Sequence, residues 1–295
     1  MNKDTTNGRG YIFASIGGFV LSFDTVLLRI INLPATDIAF WRAIALSLPV
    51  LCLIIYRYCR YRQVPDRESL FGRDMLLSAF FYGLSSVLFP MSAMMTSIAN
   101  MLFIISTAPL WAGILGWIFL RESVNRVTSL AFIISLTGVF IVISGTGKQL
   151  SFSPSIGDLT ALLTAISMAA AFVVGRSSQN DLSLSPSVGA IIAALILYVR
   201  FDITVLLPPR TLLLVIFEGS VVVFLALSLI AKASRFIPSS HLGLFLLLET
   251  ILGPLWIYLT FGETPRLSAL IGGAVIFIAL LLNSVYSLWM LKRGN

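Results

Sequence analysis

Charged side chains inside long apolar segments are the residues of this chain best placed to do chemistry. Glu249 lies near the middle of the apolar stretch from Phe236 to Pro265. With about 12 residues on either side, a helix would hold this carboxylate about 18 Å deep in a bilayer. A carboxylate at that depth is costly and is by default a functional hypothesis. It could bind a substrate ammonium group, or take up and release a proton. The alternative is a structural carboxyl that is hydrogen-bonded to Ser or Thr on a neighbouring helix.

A second charged set consists of Asp24, Arg42 and Glu218. Each residue lies six or seven positions from the predicted outer end of its span, which places all three about 10 Å below the outer surface. Because intramembrane charges tend to pair with one another, we predict that Arg42 pairs with Asp24 or Glu218. Such a pair could be a fixed structural contact, or an outer gate that opens in one transport state.

The single histidine, His241, lies eight residues before Glu249 in the same apolar stretch. Two helical turns separate them, or about 12 Å. His241 could be a hydrogen-bond donor in a substrate cavity, an ordinary helix-start residue, or part of a proton relay through water. One histidine and two separated cysteines, Cys52 and Cys59, offer no ligand set, so we expect no metal site. We also expect no cofactor.

Polar and aromatic residues near the middle of the chain suit a substrate site. Asn100, Phe103 and Thr107 share one helical face by their spacing. Such a face fits a ligand with an apolar body and a polar end, although small polar residues also serve helix packing. The predicted substrate-binding residues are Tyr82, Asn100, Phe103, Ser106, Thr107, Trp111, His241 and Glu249.

The composition identifies the environment of the chain. Of its 295 residues, 58% are hydrophobic and only 11% are charged, whereas soluble domains carry about 25% charged residues. We therefore predict an all-α polytopic membrane protein. The net charge of +7 could suggest nucleic acid as a partner. The basic residues, however, lie in short loops between apolar runs, so we expect none.

Ten apolar segments are long enough to be membrane spans, and the seventh is the shortest. They cover residues 11–31, 36–56, 73–93, 96–120, 124–144, 156–176, 186–200, 211–231, 237–260 and 265–287.

The loops between these spans predict the orientation. With the N-terminus in the cytoplasm, fourteen Lys and Arg residues fall on the cytoplasmic side and five on the other. This asymmetry places both termini inside. Five spans per half is an odd number, so the second half must enter the membrane from the opposite side. The sequence thus predicts two inverted five-helix repeats, residues 1–147 and 148–295, around a central cavity.

Short motifs in these spans resemble a known family. They are Phe40-Trp41-Arg42, the run from Pro109 to Glu122, and the run from Leu248-Glu249 to Gly262-Glu263. In this order and spacing they resemble the ten-helix EamA-type exporters of the drug/metabolite transporter superfamily. The resemblance implies a secondary transporter, and the aromatic-rich ninth span is similar to that of amino-acid exporters.

The expected function is therefore export of small amphipathic metabolites, amino acids first, by alternating access across a bacterial inner membrane. An exporter of drugs or cationic compounds is an alternative, and a membrane scaffold or an intramembrane enzyme is a further one. No phosphate-binding Gly-rich loop or catalytic motif is present, so we do not expect an enzyme. The expected partners are a small-molecule substrate and the lipid bilayer, and the expected form is a monomer.

Overall fold

The fold is helical throughout the part of the chain that the structure, a computed structural model, describes. That part comprises residues 3–61, 72–95, 104–122, 125–144, 156–262 and 267–293, and it contains no strand. Four segments within it are long and apolar enough to cross a membrane: Gly8–Ile31, Thr36–Arg60, Ile156–Ser177 and Pro209–Ala233. The prediction of an all-α polytopic membrane protein is confirmed.

The described helices follow the predicted spans closely. They are α1 Lys3–Leu21, α2 Asp24–Ile31, α3 Ala35–Tyr61, α4 Arg73–Met95, α5 Ala108–Leu120, α6 Arg126–Ser144, α7 Ile156–Ser177, α8 Ser185–Arg200, α9 Pro209–Phe217, α10 Phe224–Ala233, α11 Ser239–Phe261 and α12 Leu267–Arg293, with a π-helical segment, Glu218–Val223, between α9 and α10. The short seventh span is present as α8.

Three predicted spans are irregular within the described residues. In the fourth, predicted over 96–120, a turn at Ser106 and Thr107 precedes α5, so Thr107 caps α5 and does not lie within a continuous helix. The first span is divided into α1 and α2 by a turn at Ser22 and Phe23. The eighth is continuous but changes from α9 to the π segment and back to an α-helix in α10. In the first and eighth spans the irregular point carries an acidic residue of the second charged set, Asp24 or Glu218.

Helix packing relates the two halves of the chain by an approximate two-fold exchange. Helix α4 packs on α7 as α10 packs on α1, and α5 packs on α7 as α11 packs on α1. Two further contacts, α5 with α11 and α6 with α12, join equivalent helices across the exchange. This arrangement is the one expected of two similar five-helix repeats. The predicted boundary between residues 147 and 148 lies outside the described residues, and it stays a prediction.

Small residues allow the halves to approach closely. Gly83 on α4 faces Gly189 on α8, and a Cβ atom added to Gly83 would lie 2.6 Å from the Gly189 carbonyl oxygen. Gly243 on α11 is similarly close to Pro109 on α5, where an added Cβ would lie 2.5 Å from the proline Cα. Such small-residue contacts are typical of membrane helix interfaces, in which dispersion rather than the hydrophobic effect holds helices together.

Large apolar side chains cover the outside of the bundle. Trp117 is 66% exposed and Phe119 is 70% exposed at the end of α5, and Leu213 on α9 is 68% exposed. A soluble protein rarely leaves so many large apolar side chains in water. Lipid is the environment in which this surface is satisfied.

Candidate functional site

Arg42 is the centre of a buried charged cluster. Its Nη2 atom donates to Asp24 Oδ2 over 2.5 Å, and its Nε atom lies 3.2 Å from Glu218 Oε1. The two acids are 3% and 0% exposed, whereas the arginine side chain is 22% exposed. Arg42 therefore contacts both acids named in the sequence prediction rather than one of them. Whether this cluster opens as a gate stays a prediction.

The break in the first span positions Asp24. Helix α1 ends at Leu21 and Asp24 begins α2, so its carboxylate lies at a helix N-terminus, where the aligned peptide dipoles favour negative charge. Trp256 on α11 supports the break, because its indole Nε1 donates to Ser22 Oγ over 2.8 Å. Its ring also stacks on Phe23 with the centroids 4.4 Å apart. The turn is thereby held by a helix of the other half.

The π segment positions Glu218. A π-helical turn inserts an extra residue and is frequent at functional sites. Gly219 lets the segment approach α3, since a Cβ at this position would lie 2.5 Å from the Ala45 Cβ. Ser220 Oγ donates to the Ala45 carbonyl oxygen over 2.8 Å, which fixes the same contact. These two neighbours place Glu218, the first residue of the segment, against Arg42.

Glu249 lies on α11 and is half-buried. It interacts electrostatically with Arg42, as Asp24 and Glu218 do. The two charged sets that the sequence presented separately therefore lie within electrostatic range of each other, with Asp24 and Glu218 in contact with Arg42 and Glu249 at longer range. The sequence did not predict this proximity. The depth of a residue along its helix can be estimated from residue counts, but the direction of its side chain around the helix axis cannot.

His241 joins four helices through a buried polar chain. Its Nδ1 atom lies 2.6 Å from Tyr11 Oη on α1, and its Nε2 atom lies 3.2 Å from Thr128 Oγ1 on α6. Thr128 donates its hydroxyl proton to Asn283 Oδ1 on α12 over 2.8 Å. The threonine oxygen must then accept from Nε2–H, so Nδ1 accepts from the tyrosine hydroxyl in a neutral imidazole. The same ring lines a cavity, and His241 lies in the first turn of α11. Its role in substrate binding stays a prediction.

That cavity lies at the end of the bundle where α1 and α11 begin, and its volume is about 280 Å³. Its polar walls include a salt bridge between Glu122 and Arg176, with Oε1 and Nε 2.7 Å apart. Glu122 Oε2 also accepts from the Ser239 backbone N–H over 3.4 Å, and Arg176 donates to the Arg235 carbonyl oxygen over 2.8 Å. The salt bridge thus links α7 to the start of α11.

The sequence analysis did not select the Glu122–Arg176 pair as functional. A signal for it was present, because Glu122 ends the fourth span and Arg176 ends the sixth, and both were predicted to face the cytoplasm. Tyr11, Thr128 and Asn283 were also not selected. Single Tyr, Thr and Asn residues in apolar spans carry no spacing pattern by which they could be recognised.

The remaining predicted substrate residues lie in different surroundings. Tyr82 is 1% exposed in the core, and its hydroxyl has no hydrogen-bond partner among the described residues. Ser106 and Thr107 lie beside a small cleft at the start of α5, where Thr107 Oγ1 accepts from Trp111 Nε1 over 3.1 Å. Asn100 and Phe103 lie outside the described residues. The binding role of this group stays a prediction.

Comparison with known proteins identifies the family. The EamA-like transporter family model matches residues 8–144 and 155–285, which is most of the chain in two consecutive repeats. The chain belongs to the EamA-like transporter family. It is therefore a transporter of the drug/metabolite transporter superfamily and not an enzyme, as the resemblance of its motifs implied.

A solved structure agrees with the fold of this EamA-like transporter. One protein with a crystal structure covers 96% of this chain and 98% of its own length, with a TM-score of 0.69 and 14% sequence identity. At that identity the likeness shows the fold alone. No curated protein matches the chain.

Proposed function

We propose that this EamA-like transporter exports small amphipathic metabolites that carry an ammonium group, amino acids above all. It would do so by alternating access between its two halves. Its location would be the inner membrane of a bacterium, with both termini in the cytoplasm.

The observation that carries this proposal is the place of Glu249, which is half-buried on α11 and lies within electrostatic range of Arg42. Arg42 uses Nε and Nη2 for its two buried acids, and its Nη1 group makes no ion pair with a described residue. A zwitterion between the two side chains would place its carboxylate at Nη1 and its ammonium at Glu249. Charges of opposite sign at one partly buried place are the complement that an amino acid requires.

Alternating access is supported by the position of polar groups at two different levels of the bundle. The Glu122–Arg176 pair lines the cavity at the end where α1 begins. Arg42, Asp24 and Glu218 lie on other helices, and Glu249 lies on α11, whose first residues line the cavity. In transporters built from repeats, substrates bind at the repeat interface while one half rocks against the other. A substrate would enter through the cavity and be held beside Arg42 and Glu249.

An exporter of cationic compounds is the second candidate, and the imbalance of charge favours it. Asp24 and Glu218 contact Arg42 and Glu249 lies within electrostatic range of it, so this region holds more acidic than basic groups. A cationic compound without a carboxylate would form an ion pair with Glu249, while Arg42 stayed paired with Asp24 and Glu218. The two candidates therefore differ in whether the substrate carboxylate matters.

A liposome assay tests the proposal. Purified transporter would be reconstituted with a mixture of labelled amino acids inside, and their efflux would be measured against unlabelled amino acids, amino-acid amides, cationic dyes and sugars as competitors. We expect amino acids to compete and their amides, which lack the carboxylate, to compete at least tenfold less well. Glu249→Gln should abolish flux, whereas Asp181→Asn, in an exposed pair with Lys232, should not change it.

Three results would contradict the amino-acid proposal. Equal competition by amides and amino acids would favour the cationic-compound exporter. Full flux in Glu249→Gln would remove the residue from the site. If correctly folded protein transported none of the solutes tested, a scaffold role would be favoured. The orientation is tested separately, by reporter fusions at both termini, which should both report from the cytoplasm.

A further inference from the structure

The geometry of Arg42 brings two carboxyl groups side by side. Asp24 contacts Nη2 and Glu218 contacts Nε, and these two nitrogens form one edge of the guanidinium. One carboxylate commonly occupies that edge alone, with one oxygen on each nitrogen. Here two acids from different helices share it, so their carboxyl groups are close neighbours. They also interact electrostatically with each other.

With both acids ionised, the carboxyl pair and Arg42 would carry one uncompensated negative charge. If both acids are ionised, two negative charges face one positive charge at a site where the acids are 3% and 0% exposed. Glu249 adds a third acid within electrostatic range. Uncompensated charge is far costlier at such depth than in water, and like charges in contact cannot both remain ionised at low cost.

The hydrogen bonds show the same deficit independently. Asp24 Oδ1 and Glu218 Oε2 are buried and receive no hydrogen bond from the described residues, and Glu218 Oε1 has only the ion pair with Arg42 Nε, 3.2 Å away. Two ionised carboxylates are both acceptors and cannot satisfy one another, whereas one protonated carboxyl donates to the other. A single proton between them would supply a hydrogen-bond donor and leave the pair with one negative charge, which Arg42 balances. We propose that Asp24 and Glu218 share one proton beside Arg42, and that this carboxyl pair is a proton-binding site of the transporter.

A proton fits this site better than a metal cation. A guanidinium already contacts both carboxyl groups, and its positive charge would oppose a second full cation bound at the same oxygens. A metal ion also needs several oxygen ligands in a shell, and the described residues contain no cluster of three or more acidic, His or Cys side chains suited to one.

The other charged groups on the surrounding helices are engaged elsewhere. Arg29 on α2 lies over the Phe261 ring, 4.9 Å from its centroid. Asp37 on α3 accepts from the Thr204 backbone N–H over 3.1 Å, and Lys232 on α10 lies 3.8 Å from Asp181. The groups that face the carboxyl pair are therefore Arg42 and, at longer range, Glu249.

Loss of the proton would act on two irregular backbone elements. Asp24 begins α2 at the break in the first span, and Glu218 begins the π segment. Repulsion between two ionised carboxylates would push these elements apart at the points where regular helical hydrogen bonding is already interrupted. Release of the proton would therefore change the position of α2 relative to the π segment. Its coupling to export, in exchange for substrate, rests on the function proposed above.

Proton binding can be measured without any substrate. Infrared difference spectra of the reconstituted transporter, recorded between acidic and alkaline buffer, report the carbonyl stretch of protonated carboxyl groups. The variants are Asp24→Asn and Glu218→Gln, which replace each acid by a neutral isostere, with Asp181→Asn as a surface control. We expect each cluster variant to lose one buried-carboxyl band that the wild type and the control both show.

Folding of the variants provides a second readout. An amide resembles a protonated carboxyl, so each single variant leaves Arg42 one acid and should keep the wild-type melting temperature to within a few degrees. The double variant leaves Arg42 without either acid and should melt much lower. Retention of the carboxyl band in both single variants would overturn the proposal, as would misfolding of both. If the band behaves as expected but amino acids are not transported, the proton site stands and the proposed substrate falls.

Discussion

Trp256 on α11 donates a hydrogen bond from its indole nitrogen to the Ser22 hydroxyl at the break between α1 and α2, over 2.8 Å. Ser22 Oγ in turn donates to the Phe19 carbonyl oxygen over 2.6 Å. The last turn of α1 is therefore closed by a side chain and held by the opposite half of the molecule. Because Asp24 follows two residues later, this contact also sets the position of one acid of the carboxyl pair.

Trp256→Phe should keep the stacking on Phe23 and lose the hydrogen bond. We expect a loss of about 1 kcal/mol in the free energy of unfolding, the usual net value of one buried hydrogen bond. Trp117→Phe on the lipid-facing side of α5 is the matched control, since Trp117 is 66% exposed. Thermal unfolding in detergent measures both. Equal effects of the two substitutions would show that the Ser22 contact contributes nothing specific.

Arg42→Ala should destabilise the transporter strongly. Removing the guanidinium leaves buried acids without their cation, a change that costs about 3–5 kcal/mol. Arg42→Lys should be tolerated in part, because an ammonium keeps the charge but cannot use two nitrogens of one edge. The informative comparison is Arg42→Ala combined with Asp24→Asn and Glu218→Gln, which should recover much of the lost stability. Normal expression and full transport by Arg42→Ala alone would exclude both a structural and a gating role.

Gly219→Ala should disturb the π segment. The added methyl group would lie 2.5 Å from the Ala45 Cβ and 3.0 Å from the Arg42 carbonyl oxygen, so the segment must move away from α3. Overpacking of this kind costs about 1–3 kcal/mol, and it should reduce transport further by displacing Glu218. Gly8→Ala is the control, since nothing lies within 4 Å of an added Cβ there. An unchanged melting temperature in Gly219→Ala would show that α3 and the π segment separate without cost.

Thr128→Val should break the polar chain through His241. It removes the acceptor of the imidazole Nε2–H and the donor to Asn283 at once, and the loss of stability should be about 1–3 kcal/mol because partners are left buried and unsatisfied. The neighbouring exposed Ser129 provides the control as Ser129→Ala. Chemical unfolding of the two variants should differ by at least 1 kcal/mol. A smaller difference would indicate that water replaces the threonine hydroxyl.

The Glu122–Arg176 pair should matter more for transport than for stability. The two side chains are 24% and 31% exposed, and partly exposed pairs of this kind contribute about 0.2–1 kcal/mol. A double-mutant cycle with Glu122→Gln and Arg176→Gln should return a coupling energy in that range. Both single variants should nevertheless change the rate of efflux, because the pair lines the cavity. Unchanged efflux in both would place the pair outside the substrate path.

The sequence anticipated the helices well because hydrophobicity alone determines which segments enter lipid. Even the short seventh span proved to be a complete helix, Ser185–Arg200. The break at Ser22 and the π segment at Glu218 were not anticipated. Neither carries a Pro or a run of Gly, and both depend on side chains from other helices, Trp256 in one case and the Ala45 region of α3 in the other. Tertiary contacts create both irregularities, and the local sequence does not show which tertiary contacts will form.

For the candidate site, the sequence was most informative about charged residues, because burying an unpaired charge in lipid costs much free energy. An Arg, an Asp and a Glu at one depth in lipid must find each other, and Arg42 does contact both acids. The sequence was less informative about uncharged residues such as Tyr82, which is 1% exposed in the core. Tyrosine occurs both in packed cores and in binding sites, so its type and depth do not distinguish the two roles.

The glycine contact between α4 and α8 restricts how the transporter can move. Gly83 and Gly189 belong to different halves and meet backbone to backbone, so neither helix can slide along the other without larger residues colliding. We expect this point to serve as a pivot, about which the halves tilt while their ends separate. A short cross-link placed beside it should leave export running, whereas the same cross-link between the start of α1 and the start of α11 should stop it.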